Sequence, residues 1–175
     1  MIAIWKIRQY LTTEAATSLI HAFISSRLDY GNSLLAGLPD TDILKLQKIQ
    51  NTAARILTRT KKYDHISPIL KDLHWLRVRE RIEFKILMLT YKCLNDLAPP
   101  YLSELLEDYV PPRSLRSESQ LNLKVPRTRL RSFGDRAFSH VAPVLWNELP
   151  VAIKTASSLD TFKAKLKSHI FSSRY

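Results

Sequence analysis

Apolar residues recur every three or four positions along most of this chain, and glycine, which interrupts helices, occurs only 3 times in 175 residues. This spacing places apolar side chains on one side of an α-helix. Hydrophobic residues make up 45% of the chain and charged residues 25%, as is usual for globular proteins. We therefore predict an all-α protein, large enough for one compact domain or two small ones.

Turn and capping signals divide the chain into three segments. We predict a helical bundle over 1–97, a linker and basic arm over 98–132, and a C-terminal helical unit over 133–175. The predicted helices run over 13–28, 40–60, 67–75, 76–95 and 157–172. Thr13 is the expected cap of the first of them, and Ser157 with Asp160 is expected to form a capping box for the last. Within the polar residues 113–136, LNLKV alternates like a strand and predicts a small β-hairpin or an extended arm.

The net charge of +11 indicates a polyanionic partner, either nucleic acid or acidic membrane. Residues 111–175 hold 12 Lys and Arg against 4 Asp and Glu. No apolar run reaches the ~20 residues of a membrane span, and no lipidation motif is visible, so we expect no membrane partner. Lys6 and Arg8 make the first residues a poor signal peptide, and Cys93 is the only cysteine. We expect an intracellular protein, in the nucleus or the cytoplasm.

The segment 45–62 is the first candidate nucleic-acid site. In an α-helix each residue turns about 100° around the axis, so the polar and basic residues of this segment fall within a stripe roughly 80° wide, beside an apolar face. This basic stripe consists of Lys45, Lys48, Thr52, Arg55 and Arg59. Lys61 and Lys62 extend it past the helix end. Either the stripe is an ordinary solvated face, or it lies along a phosphate backbone; the absence of an acid between Asp42 and Asp64 favours phosphate contact.

The run PRTRLR is the second candidate site. If this stretch is extended, Arg127, Arg129 and Arg131 point to one side, as a comb that matches successive phosphates. A mobile linker kept soluble by its charge is an equally good interpretation.

Sequence features of an enzyme are missing. The five histidines, at 21, 65, 74, 140 and 169, lack metal-ligand spacing, and no glycine-rich phosphate loop or pair of neighbouring Asp residues occurs. We therefore expect no catalysis and no cofactor in this chain. Trp75 and Trp146 are expected in the core, with stacking on bases as the less favoured alternative.

Four stretches together resemble a known family: SRLDYGNSLLAGLP (26–39), KLQKIQNTAARIL (45–57), FGDRAFSHVAPVLWNELP (133–150) and SLDTFKAKLKSHIF (158–171). They are similar to the C-terminal region of reverse transcriptases of non-LTR retrotransposons, of the jockey-like and chicken-repeat types. The similarity extends from about Ile7 to Phe171. The aromatic-x-Asp-Asp signature of the polymerase palm is absent, so the chain resembles the part that follows the palm.

The resemblance implies a thumb subdomain, which packs against the template–primer duplex of an RNA-directed DNA polymerase that uses Mg²⁺. The family's Leu-Gln-x-x-Gln-Asn-x-x-x-Arg pattern is matched by Leu46, Gln47, Gln50, Asn51 and Arg55. Gln50 and Asn51 either contact nucleic acid or satisfy buried polar groups within the bundle. The implied partners are RNA, an RNA–DNA hybrid or DNA, together with the palm and fingers. The alternative is a non-catalytic protein-interaction module, or a relic of a transposable element without function.

Overall fold

A computed structural model describes residues 2–111 and 120–174, and both ranges are helical. The α-helices are α1 Ile2–Ile7, α2 Thr13–Ile20, α3 Ser26–Asp29, α4 Asp40–Thr58, α5 Ile66–Asp72, α6 Val78–Leu94, α7 Pro100–Ser103, α8 Arg131–Gly134, α9 Phe138–Asn147, α10 Val151–Lys154 and α11 Leu159–Arg174. A π-helical turn, His21–Ser25, joins α2 to α3. Short 3₁₀ segments cover Arg8–Tyr10 and Asn32–Leu35. The prediction of an all-α protein is confirmed.

The chain divides into two compact units, and the division falls inside α6, between Ile82 and Glu83. The first unit holds α1 to α5 and the start of α6. The second unit holds the remainder of α6 and α7 to α11. The predicted limits at 97 and 132 follow turn and composition signals instead, and they stay predictions.

The core of the first unit lies where α2 and the π-helical turn pack on α4 and α5. Its fully buried members are small or branched: Ala16, Ile20, Ala53, Ala54 and Leu70. The alanines of α4 let the neighbouring helices approach closely, because they add little volume at the contact. One face of α4 is thereby buried, and its opposite face is left to solvent.

The core of the second unit is built around Phe162 of α11. Its ring stacks on Tyr91 with 4.3 Å between centroids and on Trp146 with 6.0 Å. The hydroxyl group of Tyr91 donates a hydrogen bond to the carbonyl oxygen of Ala156 at 2.7 Å, so the polar atom of this side chain is satisfied. Phe133 of α8 is largely exposed.

Two helix caps lie one residue from their predicted positions. Thr12, not Thr13, accepts the N–H of Ala15 at 3.2 Å, and Ser158, not Ser157, accepts the N–H of Thr161 at 3.2 Å. Each pair is two adjacent hydroxyl residues, and the residue with extended backbone can reach the N–H three positions later. Thr12 has this conformation.

LNLKV forms no strand in the described ranges, so the predicted hairpin is wrong there. Leu123 makes a single antiparallel bridge with Asp108. The backbone N–H and carbonyl groups of Leu123 pair with the side-chain amide of Asn147. The amide accepts a hydrogen bond from the N–H and donates one to the carbonyl oxygen, both at 2.8 Å. The segment is therefore held on one side by this short backbone pairing and on the other by a helix side chain.

Candidate nucleic-acid interface

The predicted basic stripe begins on α4 and is called the α4 stripe. Its first two cations, Lys45 and Lys48, lie on the exposed side of the helix, as predicted. The ammonium group of Lys45 contacts the carboxylate of Asp42 at 2.8 Å, one turn earlier. Lys48 has no acidic partner within the described residues. Because an exposed pair at i and i+3 contributes little free energy, a phosphate can displace Asp42 from Lys45 at small cost.

Arg55 is bound to protein backbone rather than free on the stripe. Its guanidinium donates to the carbonyl oxygen of Asp64 at 3.0 Å, and its Nε is buried without an acceptor in the described residues. The residue therefore ties the end of α4 to the loop that leads into α5. Its charge contributes to the local field, but its geometry is not that of a side chain extended towards solvent.

Arg59 departs from the predicted helix. α4 ends at Thr58, and Arg59 has a left-handed backbone with φ of 56°. The N–H groups of Arg59 and Thr60 both donate to the carbonyl oxygen of Arg55, which is a common way to close a helix. The side chain of Arg59 then contacts the carbonyl oxygen of Arg8 at 3.3 Å. Arg59 thus leaves the α4 stripe and joins the N-terminal segment.

Arg8 caps the C-terminal end of α4 from a buried position, with only 6% of its surface exposed. Its Nε donates to the carbonyl oxygen of Ile56 at 3.1 Å, and one terminal nitrogen donates to that of Leu57 at 2.9 Å. The other terminal nitrogen donates to Leu11 at 3.0 Å. No carboxylate of the described residues lies within 4.0 Å, so the negative end of the helix dipole compensates this charge.

The loop after α4 presents Lys61 and Lys62 to solvent. Asp64 closes the loop, since its carboxylate accepts the N–H of Lys61 at 3.0 Å. Tyr63, at the tip, is 92% exposed. The two ammonium groups have no acidic partner in the described residues. The loop therefore combines two unpaired cations with an exposed aromatic ring.

The glutamine pair of α4 has a structural role. Gln50 is 2% exposed, and its amide donates to the carbonyl oxygen of Leu76 at 2.8 Å. Gln47 accepts the N–H of Val78 at 2.8 Å, and its amide nitrogen donates to Gln50 and to Asn51. These contacts cap the start of α6 and connect α4 to it. Of the two alternatives for Gln50 and Asn51, the geometry favours satisfaction of buried polar groups.

The arginine comb is present in part, within the second unit. Arg127 and Arg129 are exposed, while Thr128 between them turns inward and donates to the carboxylate of Asp135. Arg131 is the first residue of α8, so it does not continue the extended run, and its side chain lies outside the part that the structure describes. The described comb thus consists of two arginines.

Trp75 and Trp146 are buried, so neither offers a ring face to a base. The tryptophan with an exposed ring is Trp5, at 57%, on α1. Sequence reasoning missed it, because the first residues were considered only as a failed signal peptide. The sequence did give a signal of an aromatic and basic surface here, because Trp5 is followed by the cations Lys6 and Arg8.

Among the described residues, no three His, Cys, Asp or Glu side chains come together as a metal-binding group. No helix in the ranges 2–111 and 120–174 has both the length and the hydropathy needed to cross a bilayer.

Comparisons with protein-family models, with curated proteins and with solved structures found no match to this chain.

Proposed function

We propose that this chain is a nucleic-acid-binding segment of a retrotransposon RNA-directed DNA polymerase, corresponding to its thumb and C-terminal tail. The observation that carries the proposal is a set of cations along α4 and in the loop after it, none of which has an acidic partner in the described residues. It comprises Lys48, Lys61 and Lys62. Arg8 and Arg59 add two more positive charges beside them. Together they form a phosphate-binding edge on the first unit.

The sequence resemblance supports a reverse transcriptase as the parent enzyme, and the charge distribution supports nucleic acid as the class of ligand. Residues 2–82 hold 13 Lys and Arg against 7 Asp and Glu, so the first unit has a clear positive excess. In this proposal the polymerase chemistry, with its Mg²⁺, belongs to the palm. The segment itself holds RNA, an RNA–DNA hybrid or DNA and catalyses nothing.

A second candidate function is attachment to another protein, such as the palm and fingers of the same polymerase. Large apolar side chains stay exposed in residues 23–44 of the first unit. Tyr30 is 91% exposed and Leu34 is 86% exposed, and Phe23 and Leu44 are also largely exposed. Exposed apolar side chains of this size favour a protein contact over a phosphate contact.

Salt dependence separates the two functions. The purified chain should be titrated with a labelled RNA–DNA hybrid, single-stranded RNA and duplex DNA at several salt concentrations. Steep weakening with salt, and a preference for the hybrid, would support the thumb function, because each phosphate contact releases counterions. Absence of binding by a folded chain would favour the protein-contact function or a relic.

A further inference from the structure

We propose that a cavity between α1 and the end of α4 binds one unpaired nucleotide. This Trp5 cavity is lined by Trp5, Lys6, Arg8, Gln9 and Arg59. The chemistry it would recognise is a flat heteroaromatic base joined to a phosphate. The inference rests on the proposed function in one respect, since a nucleic-acid strand is one of the two sources of such a group. A free nucleoside phosphate is the other.

The size of the Trp5 cavity suits this ligand. Its volume is about 590 Å³, within the range of about 300–1,000 Å³ that small-molecule sites occupy. The cavity is wide open to solvent. An open site of this size can admit a nucleotide that remains attached to the rest of a strand.

The charge of the cavity suits a phosphate. Three of its five lining residues are cations, and no acidic residue is among the described residues that line it. Lys6 is exposed and has no partner within the described ranges. The carbonyl oxygens at the end of α4 would ordinarily repel an anion, but Arg8 covers those of Ile56 and Leu57. Lys6 and Arg59 can therefore act together on one phosphate group.

The aromatic side of the cavity suits a base. Trp5 has no ring partner in the described part of the chain, and more than half of its surface is exposed. Indole gives a larger stacking face than any other side chain, and base stacking on such rings is tolerant of sequence. An unpaired base can reach this ring, whereas a base inside a duplex is already stacked on both faces.

The backbone of Arg59 holds its guanidinium at the cavity. A left-handed conformation is unfavourable for an arginine, and glycine would adopt it without strain. Here the conformation directs the side chain to the carbonyl oxygen of Arg8 instead of along the α4 stripe.

Space for a neighbouring nucleotide lies next to the Trp5 cavity. A second cavity of about 640 Å³ shares Arg8 and Arg59 with it and presents the hydroxyl residues Thr12, Thr13 and Thr17. No Asp or Glu is among its described lining residues either. This continuity favours a single strand over a free mononucleotide as the source.

The test uses tryptophan fluorescence and affinity of the full chain. Because Trp75 and Trp146 are buried, stacking on Trp5 should quench the exposed part of the emission. The probes are a single-stranded RNA, a long RNA–DNA hybrid and adenosine monophosphate. Three variants are compared with the parent chain: W5L removes the ring, W5F keeps a smaller ring, and R59G keeps the left-handed backbone without the guanidinium.

We expect the single-stranded RNA to quench the emission and W5L to weaken its binding about tenfold, with W5F recovering most of the loss. R59G, checked for unchanged helix content, should weaken binding of the same RNA several-fold. The affinity of W5L for the hybrid should change by less than about twofold. If adenosine monophosphate quenches the emission and the single-stranded RNA does not, the ligand of the Trp5 cavity is a free nucleotide.

Two results would overturn the inference. If RNA binds with a steep salt dependence but W5L and R59G leave its affinity unchanged, the Trp5 cavity is not the site and the proposed function stands. If neither the RNA nor adenosine monophosphate quenches the emission of the folded chain, the inference fails. Binding of the hybrid in that case would still preserve the proposed function.

Discussion

Arg59 donates a hydrogen bond from its guanidinium to the carbonyl oxygen of Arg8, with 3.3 Å between the two atoms. Arg8 in turn donates to the carbonyl oxygens of Ile56 and Leu57 at the end of α4. Two arginines that are 51 residues apart thus join the N-terminal segment to the helix end. The same contacts keep two positive charges together without an acid between them, which is the condition for an anion to bind there.

Replacing Arg8 should destabilise the first unit more than replacing any exposed cation of that unit does. In R8M the carbonyl oxygens of Ile56, Leu57 and Leu11 lose their donor, and we expect a loss of about 3 kcal/mol in the free energy of unfolding. Denaturant unfolding measures it. The matched control is R27M, at an exposed arginine without a partner in the described residues, which should cost less than about 0.5 kcal/mol. Equal costs for the two variants would contradict the capping role.

Removing the amide of Gln50 should weaken the connection between α4 and the start of α6. Q50A leaves the carbonyl oxygen of Leu76 unpaired and opens a small cavity, so we expect a loss of about 2–3 kcal/mol. Q9A, at an exposed glutamine, is the control for stability. Because the role is structural, folded Q50A should retain the salt slope of nucleic-acid binding. A changed slope with unchanged stability would indicate direct contact with nucleic acid instead.

The charge of Lys154 should make stability depend on pH. Burial lowers the pKa of its ammonium group below the ordinary 10.5. Between that lowered pKa and 10.5 the unfolded chain binds more protons than the folded chain, so the free energy of unfolding rises with pH across this window. The difference between the parent chain and K154M should show this rise, since methionine cannot titrate.

K154M also removes two hydrogen bonds, because the Lys154 ammonium donates to the Gln120 carbonyl oxygen and to Asn122 Oδ1, both at 3.0 Å. Below the lowered pKa we expect the variant to lose about 1–2 kcal/mol. Chemical denaturation at a series of pH values measures both effects. A difference that stays constant with pH would show that burial does not affect the proton affinity of this lysine.

Cys93 should report on the folding of the second unit. Burial raises the pKa of its thiol above the ordinary 9.0, so the reactive thiolate is scarce in the folded chain. A thiol reagent at about pH 8 should modify it at least about 100-fold more slowly than in denaturant. Rapid modification of the native chain, at the rate found in denaturant, would mean that the core around α6 opens freely.

The helices could largely be predicted from the sequence, because their apolar spacing and turn residues are local properties. α4 begins at Asp40 and α11 at Leu159, within two residues of expectation. The caps at Thr12 and Ser158 were each missed by one residue, since two adjacent hydroxyl residues give the same local signal. The hairpin prediction for LNLKV failed because part of its pairing is made by the side chain of Asn147, which lies 24 residues away from Leu123.

The cations of the candidate site were found by sequence, but their partners were not. Helical geometry placed Lys45 and Lys48 correctly on the exposed face of α4. It could not show that Arg59 takes a left-handed conformation, or that Arg8 comes from 48 residues away to cap Ile56. The position of Trp5 beside Arg59 at one cavity likewise depends on the tertiary fold, although the nearby cations Lys6 and Arg8 gave a local signal.

The measurement that tests the central claim most directly is the salt slope of hybrid binding by K48A/K61A/K62A. The matched control is R27A/K71A/K167A, which removes the same charge from exposed cations elsewhere. If Lys48, Lys61 and Lys62 contact phosphates, each loss should reduce the slope by about 0.9, so the triple variant should lose about two to three units. The salt slope of the control variant should fall by less than about one unit. Equal losses in two folded variants would contradict a phosphate-binding edge along α4 and the loop after it, and would leave only general charge attraction.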